Sequence, residues 1–523
     1  MPKTLFARIL VGLAVVLAAV QFYRPARTNP VSDPSAAVDA GGHVPAQVIA
    51  ILKRSCYDCH SHATRWPWYS EVAPMSWPVA GDVRDGRAEV NFSTWNTSPA
   101  WRRIRKLEEA CDLVRKGDMP LPSYLLLHRD AKMSESDVRA VCDWTADEGD
   151  RLTAQALGEA VASFEPVASH GGLITVSGIL PTQAEVATDI KTQTAQVLDT
   201  LSSRLAGVGS SLDRVVAASV YLAQAGDFAA MNEVFSRYFP KDPPTRTTVV
   251  ATLPGKSARI QISAVAVPAG ASRTVLLPTG WSKSPSPYSY AIQTADLVFL
   301  SGLVARDPKD NAPIKGDIEV QMRAIFDNAN ALLSAGGVSF ADVVSARIYL
   351  TDAAPFDRMN AAYRSHFPKD PPARATVRTG LMSPDYLVEV TLLADRSKAH
   401  RALTTPGPDG KPGAPNPNLS SAIAAGPRLF LSGMLGLVPD QESNASGQTT
   451  ETCARLARTL NAGGYSWADV TDSVVYVTDM AAAPLVVERF KRAAGGSLRP
   501  GTIVGAGLMN PKGRVEIMVI AGK

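Results

Sequence analysis

Phe239-Pro240-Lys241-Asp242-Pro243-Pro244-Thr245-Arg246-Thr247-Thr248-Val249 returns later in the chain as Phe367-Pro368-Lys369-Asp370-Pro371-Pro372-Ala373-Arg374-Ala375-Thr376-Val377. Self-similarity of this kind marks a repeat architecture. Working outward, Val215–Leu222 matches Val343–Leu350 and, more loosely, Val470–Val477, each an apolar run ending near a tyrosine. Ser177-Gly178, Ser301-Gly302 and Ser432-Gly433 each close a strand-like run. Three units therefore recur, at 165–268, 284–398 and 415–523, separated by Pro/Gly/Ser-rich linkers of which Thr405 to Asn418 is the clearest.

The middle unit reads β-β-α-β-α-β-β. Ile318, Met322, Ile325, Ala329 and Leu332 step by four and three, one face of a long amphipathic helix. Val344, Ala346, Ile348 and Leu350 alternate as a strand, and Phe356, Met359, Tyr363 and Phe367 mark a second, shorter helix. Each unit is expected to be α+β, with two helices on one face of a mixed sheet.

The remaining N-terminal part has a different character. Residues 9–23 are an apolar run behind Lys3 and Arg8, the form of an export signal. The run is short for a span of about 20 residues, but Leu5, Phe6 and Phe22-Tyr23 extend it and no Ala-x-Ala site follows. An uncleaved anchor over 1–24 is expected, with a cleaved signal peptide as the alternative, and 25–44 is a linker. Cys56-Tyr57-Asp58-Cys59-His60 then has the spacing that attaches a c-type haem: two thioethers from Cys56 and Cys59, and His60 as proximal iron ligand. A zinc or redox Cys-x-x-Cys pair needs further ligands or a thioredoxin-like context, and neither is evident. Cys111 and Cys142 either pair, if this region is exported, or remain buried thiols. Helical character continues to about 155, with Ser134-Glu135-Ser136-Asp137 as a capping-box start. A chain of 523 residues suits roughly three or four domains. A net charge of +4 with no basic stripe among aromatics argues against a nucleic-acid partner.

Residues 45–155 resemble the haem-binding domain family. The likeness rests on Cys56–His62, Trp66-Pro67-Trp68-Tyr69-Ser70, Pro74-Met75-Ser76-Trp77, Gly86-Arg87, Asn91-Phe92-Ser93-Thr94-Trp95 and Gly117-Asp118-Met119-Pro120. It implies a mainly α, cytochrome c-like domain with one haem c. Met119 is the expected sixth ligand, with Met75, His62 and His128 as alternatives, and the tryptophans are expected to pack around the porphyrin. A periplasmic redox partner and electron transfer follow from that reading.

The three repeats resemble the Rid family (reactive intermediate deaminases, also called YjgF-like or endoribonuclease L-PSP). The residues carrying this are Pro287-Tyr288-Ser289-Tyr290-Ala291, Phe299-Leu300-Ser301-Gly302, Met359-Asn360, Pro372–Val377 and Val388-Glu389-Val390. The resemblance implies a chorismate-mutase-like fold and trimers with sites between subunits, so three tandem units imply a single-chain pseudo-trimer. It also implies hydrolysis of 2-imino acids to 2-keto acids and ammonia. In the middle unit Arg374 would grip the carboxylate and Glu389 activate water, with Tyr288 and Asn360 lining the pocket. The first unit keeps Asn232 and Arg246, a further substrate-binding candidate, but has Gln261 at the glutamate position and lacks the Pro-Tyr strand. The third keeps Glu516 but has Gly501 at the arginine position and Asn418-Leu419 in place of the tyrosine. The whole is expected to be a periplasmic haem protein, anchored to the inner membrane, with a possible 2-iminoalkanoate deaminase module. The alternative is a non-catalytic ring that binds a small carboxylate or docks a partner.

Overall fold

In the computed structural model the middle repeat follows the expected order. Asp317 accepts a hydrogen bond from the Val320 N–H and starts the helix Ile318–Ala335, whose Ile318, Met322, Ile325, Ala329 and Leu332 are all buried. The strand Val343–Leu350 runs parallel to Ala373–Arg378 and antiparallel to Val388–Asp395, which continues antiparallel onto Leu297–Leu300. Strand alternation then divides the side chains. Ala346, Ile348 and Leu350 join the helices in one core, while Tyr349 lies on the other face with Tyr221, Tyr476, Ala375 and Val377. The model describes residues 3–182, 188–438 and 444–523, with side chains from residue 8 onward. The chain divides into two units, 1–156 and 157–523.

The first and third repeats build the same α+β layers around the helices Ile190–Ala206 and Ala445–Gly463. One expectation is corrected. The first repeat has its N-terminal strand, Val167–His170, paired antiparallel with Leu173–Ile179. Its sequence lacks Pro-Tyr, but the register puts Phe164 where the second repeat has Tyr288 and the third Leu419.

Within this unit every repeat meets both others through the face away from its helices. The Gly302 N–H donates to the Arg246 carbonyl and the Gly433 N–H to the Arg374 carbonyl, both at 3.1 Å, and the Glu165 N–H donates to the Leu498 carbonyl at 2.8 Å. These contacts join first to second, second to third, and third to first.

The N-terminal unit is helical. Val48, Leu52, Phe92, Trp95, Leu107, Trp144 and Leu152 form its core. Asp137 and Ser134 exchange hydrogen bonds at the start of the helix Glu135–Ala162. Cys111 and Cys142 form a disulfide. In the first helix, Lys3–Val20, the apolar side chains of Ile9, Leu10, Val11, Leu13, Val15, Val16 and Leu17 are strongly exposed. Among the described residues no helix is long and apolar enough to cross a membrane. The contribution expected from Leu5 and Phe6 concerns side chains outside that set.

Candidate functional sites

The sequence groups Arg374, Glu389, Tyr288 and Asn360 in one pocket; the fold separates them into two. Arg374 is registered with Ala346 and Glu389 with Tyr349, three positions apart on the intervening strand. An odd offset places them on opposite faces of the sheet. Arg374 lies on the helix side, its guanidinium 4.6 Å from the Tyr363 ring centroid. Glu389 faces the neighbouring repeat.

Each half of the expected pair finds its partner in the adjoining repeat. In the cleft between the first and second repeats, the buried Arg246 stacks on Phe235 at 4.9 Å and lies 5.7 Å from the Tyr288 centroid. Glu389 accepts a hydrogen bond from the Thr248 N–H at 3.3 Å. Burial pushes its carboxyl up to about 8, with Arg246 and Arg306 pulling the other way. The Arg246 guanidinium is itself brought down to about 10 by burial.

In the cleft between the second and third repeats, Arg374 donates to Asn360 Oδ1 at 2.8 Å, and its Nε and Nη1 are buried without a partner. Glu516 faces it, its carboxyl pushed by burial to about 8 and opposed by Arg374. Buried, unpaired guanidinium N–H groups are costly unless something accepts them. A carboxylate, planar and bidentate, is the natural acceptor.

The Ser-Gly pairs that recur in the sequence hold both clefts. Ser301 Oγ accepts from the Arg246 N–H at 2.9 Å, and Ser432 Oγ from the Arg374 N–H at 2.8 Å. A Cβ on Gly302 would stand 1.8 Å from Glu389 Oε1, and one on Gly433 1.9 Å from Glu516 Oε1. Only glycine lets the carboxylates approach so closely.

At the junction of the third and first repeats the chemistry is gone. Gly501 stands at the arginine position, and a Cβ there would lie 2.4 Å from the Phe164 ring. The aromatic ring occupies the space. Gln261, at the glutamate position, has both amide atoms buried and unpartnered.

The N-terminal unit holds a cavity of about 440 Å³ lined by Cys56, Cys59, His60 and Met119, with Phe92, Leu113, Val114, Leu121 and Tyr124. That volume is within the ~300–1,000 Å³ of cofactor sites. His60 Nδ1 lies 2.9 Å from the Gly86 carbonyl and 3.2 Å from that of Val90, which leaves Nε2 free. A carbonyl accepting from one ring nitrogen fixes the tautomer of a histidine that binds metal through the other. Burial also holds the imidazole below its ordinary pKa. Burial pushes the Cys56 and Cys59 thiols up to about 12 and about 11, unlike a reactive redox pair. Among the described residues no three His, Cys, Asp or Glu side chains converge on a metal position.

The other ligand candidates are engaged elsewhere. His62 contacts Ser32 and Asn91, His128 contacts Tyr69, and Met75 is half exposed. No tryptophan lines the cavity, contrary to expectation: Trp95 and Trp144 belong to the domain core, and Trp68 is largely exposed.

Residues 153–268, 282–395 and 411–523 match the family model for endoribonuclease L-PSP. The chain belongs to the endoribonuclease L-PSP family. Residues 15–147 match the model of a haem-binding domain, and the N-terminal unit is one. Over 114 residues, 22% of this chain and 91% of the relative, the chain is 36% identical to a RutC family protein of Sulfurisphaera tokodaii. Another relative, 3-aminoacrylate deaminase RutC of Acinetobacter baylyi, is 32% identical over 23% of this chain and 97% of its own length. The crystal structure of YEO7 from yeast is 27% identical, covering 24% of this chain and 98% of its own, with a TM-score of 0.23.

Several residues of the L-PSP clefts escape a reading of the sequence alone. Ser301, Ser432, Gly302 and Gly433 stand in the sequence as recurring strand ends, and Ser301-Gly302 also carries the Rid resemblance, but neither reading gives them a place in the clefts. Tyr363 reads as a helix-core position, yet it supports an arginine, and Phe235, which no motif marks, does the same for Arg246.

Proposed function

We propose that the L-PSP repeats hydrolyse 2-imino acids to 2-keto acids and ammonia in two clefts, Arg246–Glu389 and Arg374–Glu516. The observation that carries this is a buried arginine facing a buried carboxyl in each of the two clefts, with Nε and Nη1 of Arg374 left without an acceptor. The name of the Acinetobacter baylyi relative, a deaminase, supports the same chemistry. The arginine holds the substrate carboxylate. The ionised glutamate takes a proton from water as the water oxygen bonds to C2, then passes it to the nitrogen. The carbinolamine hydroxyl then gives its proton to the glutamate, which passes it to the nitrogen as the C–N bond breaks, and ammonia leaves. A carboxyl with a pKa of about 8 suits both directions of transfer near neutrality.

In this reading the three repeats make a closed ring within one chain, supported by the backbone hydrogen bonds that join first to second, second to third and third to first. In the N-terminal domain a single c-type haem would be held by thioethers to Cys56 and Cys59, with His60 and Met119 as the residues that would bind its iron. The shared cavity supports that assignment. Bound haem supplies one-electron transfer to a redox partner. The Cys111–Cys142 disulfide supports a compartment outside the cytoplasm. The exposed apolar side chains of the first helix support attachment to the inner membrane.

The test is hydrolysis of 2-iminopropionate generated in situ, with the Arg246→Ala/Arg374→Ala double variant as control. Equal rates would remove the deaminase. Carboxylate binding without turnover would leave a ligand-binding ring, a reading the inert third junction favours.

A further inference from the structure

One charged difference between the two clefts lies beside the reacting carboxyl. Counting five positions from the Ser-Gly serine, Ser301 leads to Arg306 and Ser432 to Leu437. Arg306 borders a hollow of about 20 Å³ together with Tyr288, Gly302, Trp281 and Tyr290. Gly302 is the residue against which Glu389 is pressed, so the hollow adjoins the reacting carboxyl. The volume has room for about one water-sized group, such as a carboxylate oxygen.

Arg306 is held in place and yet lacks an anion. Its backbone carbonyl accepts from Asn328 at 2.8 Å, and its guanidinium lies 5.2 Å from the Tyr386 centroid. Its Nε is buried without a hydrogen-bond partner, and no carboxylate among the described residues pairs with it. In the other cleft the residue at this place offers only its carbonyl, which accepts from Arg455, a guanidinium already paired with Glu451. Glu389 accordingly feels two cations, Arg246 and Arg306, while Glu516 feels Arg374 alone. Two fixed positive charges flanking one carboxyl suit a dianion better than a monoanion.

We propose that the cleft between the first and second repeats is built for imines of dicarboxylic amino acids, with Arg306 taking the distal carboxylate. The cleft between the second and third repeats, with Leu437 at that place, takes imines bearing a single carboxylate. The assignment rests on the imine-hydrolysis reading for its reaction, but the difference in ligand class stands on Arg306 itself.

The experiment uses the full-length protein with Arg374→Ala silencing the second cleft. The imines of glutamate and of 2-aminobutyrate, generated in situ, are compared as substrates. The ratio of kcat/KM for the dicarboxylate over the monocarboxylate should fall by about tenfold or more in Arg306→Leu, mainly through KM. Arg306→Lys should recover part of it. With Arg246→Ala silencing the first cleft instead, Leu437→Arg should raise the same ratio in the second. An unchanged ratio in Arg306→Leu would overturn the proposal. If neither imine is hydrolysed, calorimetric titration with 2-oxoglutarate and 2-oxobutyrate decides separately. Tighter binding of 2-oxoglutarate that is lost in Arg306→Leu supports the dicarboxylate site in the absence of catalysis. Equal binding of the two acids, or none, overturns it.

Discussion

Glu389 Oε1 rests against the α-carbon of Gly302, where an added methyl would stand only 1.8 Å away. The carboxylate end of a glutamate can swing, so Gly302→Ala should displace the reacting group rather than unfold the repeat. We expect imine hydrolysis in that cleft to fall at least tenfold while stability changes by less than about 1 kcal/mol. Single-turnover assays paired with thermal melts check this, and Gly433→Ala should do the same to Glu516.

Because the arginines serve different clefts, their single variants should be partial. Arg246→Ala and Arg374→Ala should each abolish one component of activity and leave the other. Loss of a charge-assisted grip of about 1.5–3 kcal/mol is roughly 10- to 150-fold in the affected cleft. Steady-state rates with several imines would resolve the two components, and the double variant should be close to background.

Burial raises the carboxyls of Glu389 and Glu516 from an ordinary 4.5 to about 8. Between those values the folded protein keeps protons that the unfolded chain has released. The contribution of these groups to stability is therefore complete below about pH 4.5, falls as pH rises and is lost above about 8. Activity should move the other way. If the carboxylate takes the proton from water, kcat/KM rises with pH through about 8, and Glu389→Gln/Glu516→Gln removes both slopes. Melting curves and rates from pH 5 to 9 measure the two.

In the haem-binding domain, Met119→Ala should lower the midpoint potential, since a thioether axial ligand raises it. It should also abolish any weak near-infrared iron–sulfur band. Haem colour that persists through acid-acetone extraction is expected of the parent protein, and loss of one thioether in Cys59→Ser. Pigment extracted from the parent would exclude covalent attachment.

The Cys111–Cys142 disulfide closes a loop with a sequence separation of 31. Chain-entropy arguments give such a cross-link about 3–4 kcal/mol. Cys111→Ser/Cys142→Ser should lower the denaturation midpoint of the haem-binding domain accordingly, with the transition of the repeats unmoved.

Much of this was legible from residue order. The repeat announces itself at Phe239 and Phe367, and the helix Ile318–Ala335 is written in its four-and-three stepping. The composition of the clefts was not. Arg374 and Glu389 look like partners because they fall in one repeat, but strand register, set by pairing with Val343–Leu350, puts them on opposite faces. Register between strands distant in sequence is a tertiary property. Phe164 was missed for a related reason: as a phenylalanine before an unremarkable strand it carried no motif, and only pairing with Leu173–Ile179 places it opposite Gly501. The haem cavity was easier, since Cys56, Cys59 and His60 are contiguous.

The junction sealed by Phe164 has a consequence for how such a protein can change. In an assembly of identical subunits, a substitution that closes one site closes all of them, and a side chain that tunes one tunes every copy. Joining the repeats covalently removes that constraint. One seam can give up its arginine and glutamate and serve only as packing, while the remaining two drift apart in what they accept. Gly501 beside Phe164, and Arg306 in one cleft where the other has Leu437, are two outcomes of the same freedom.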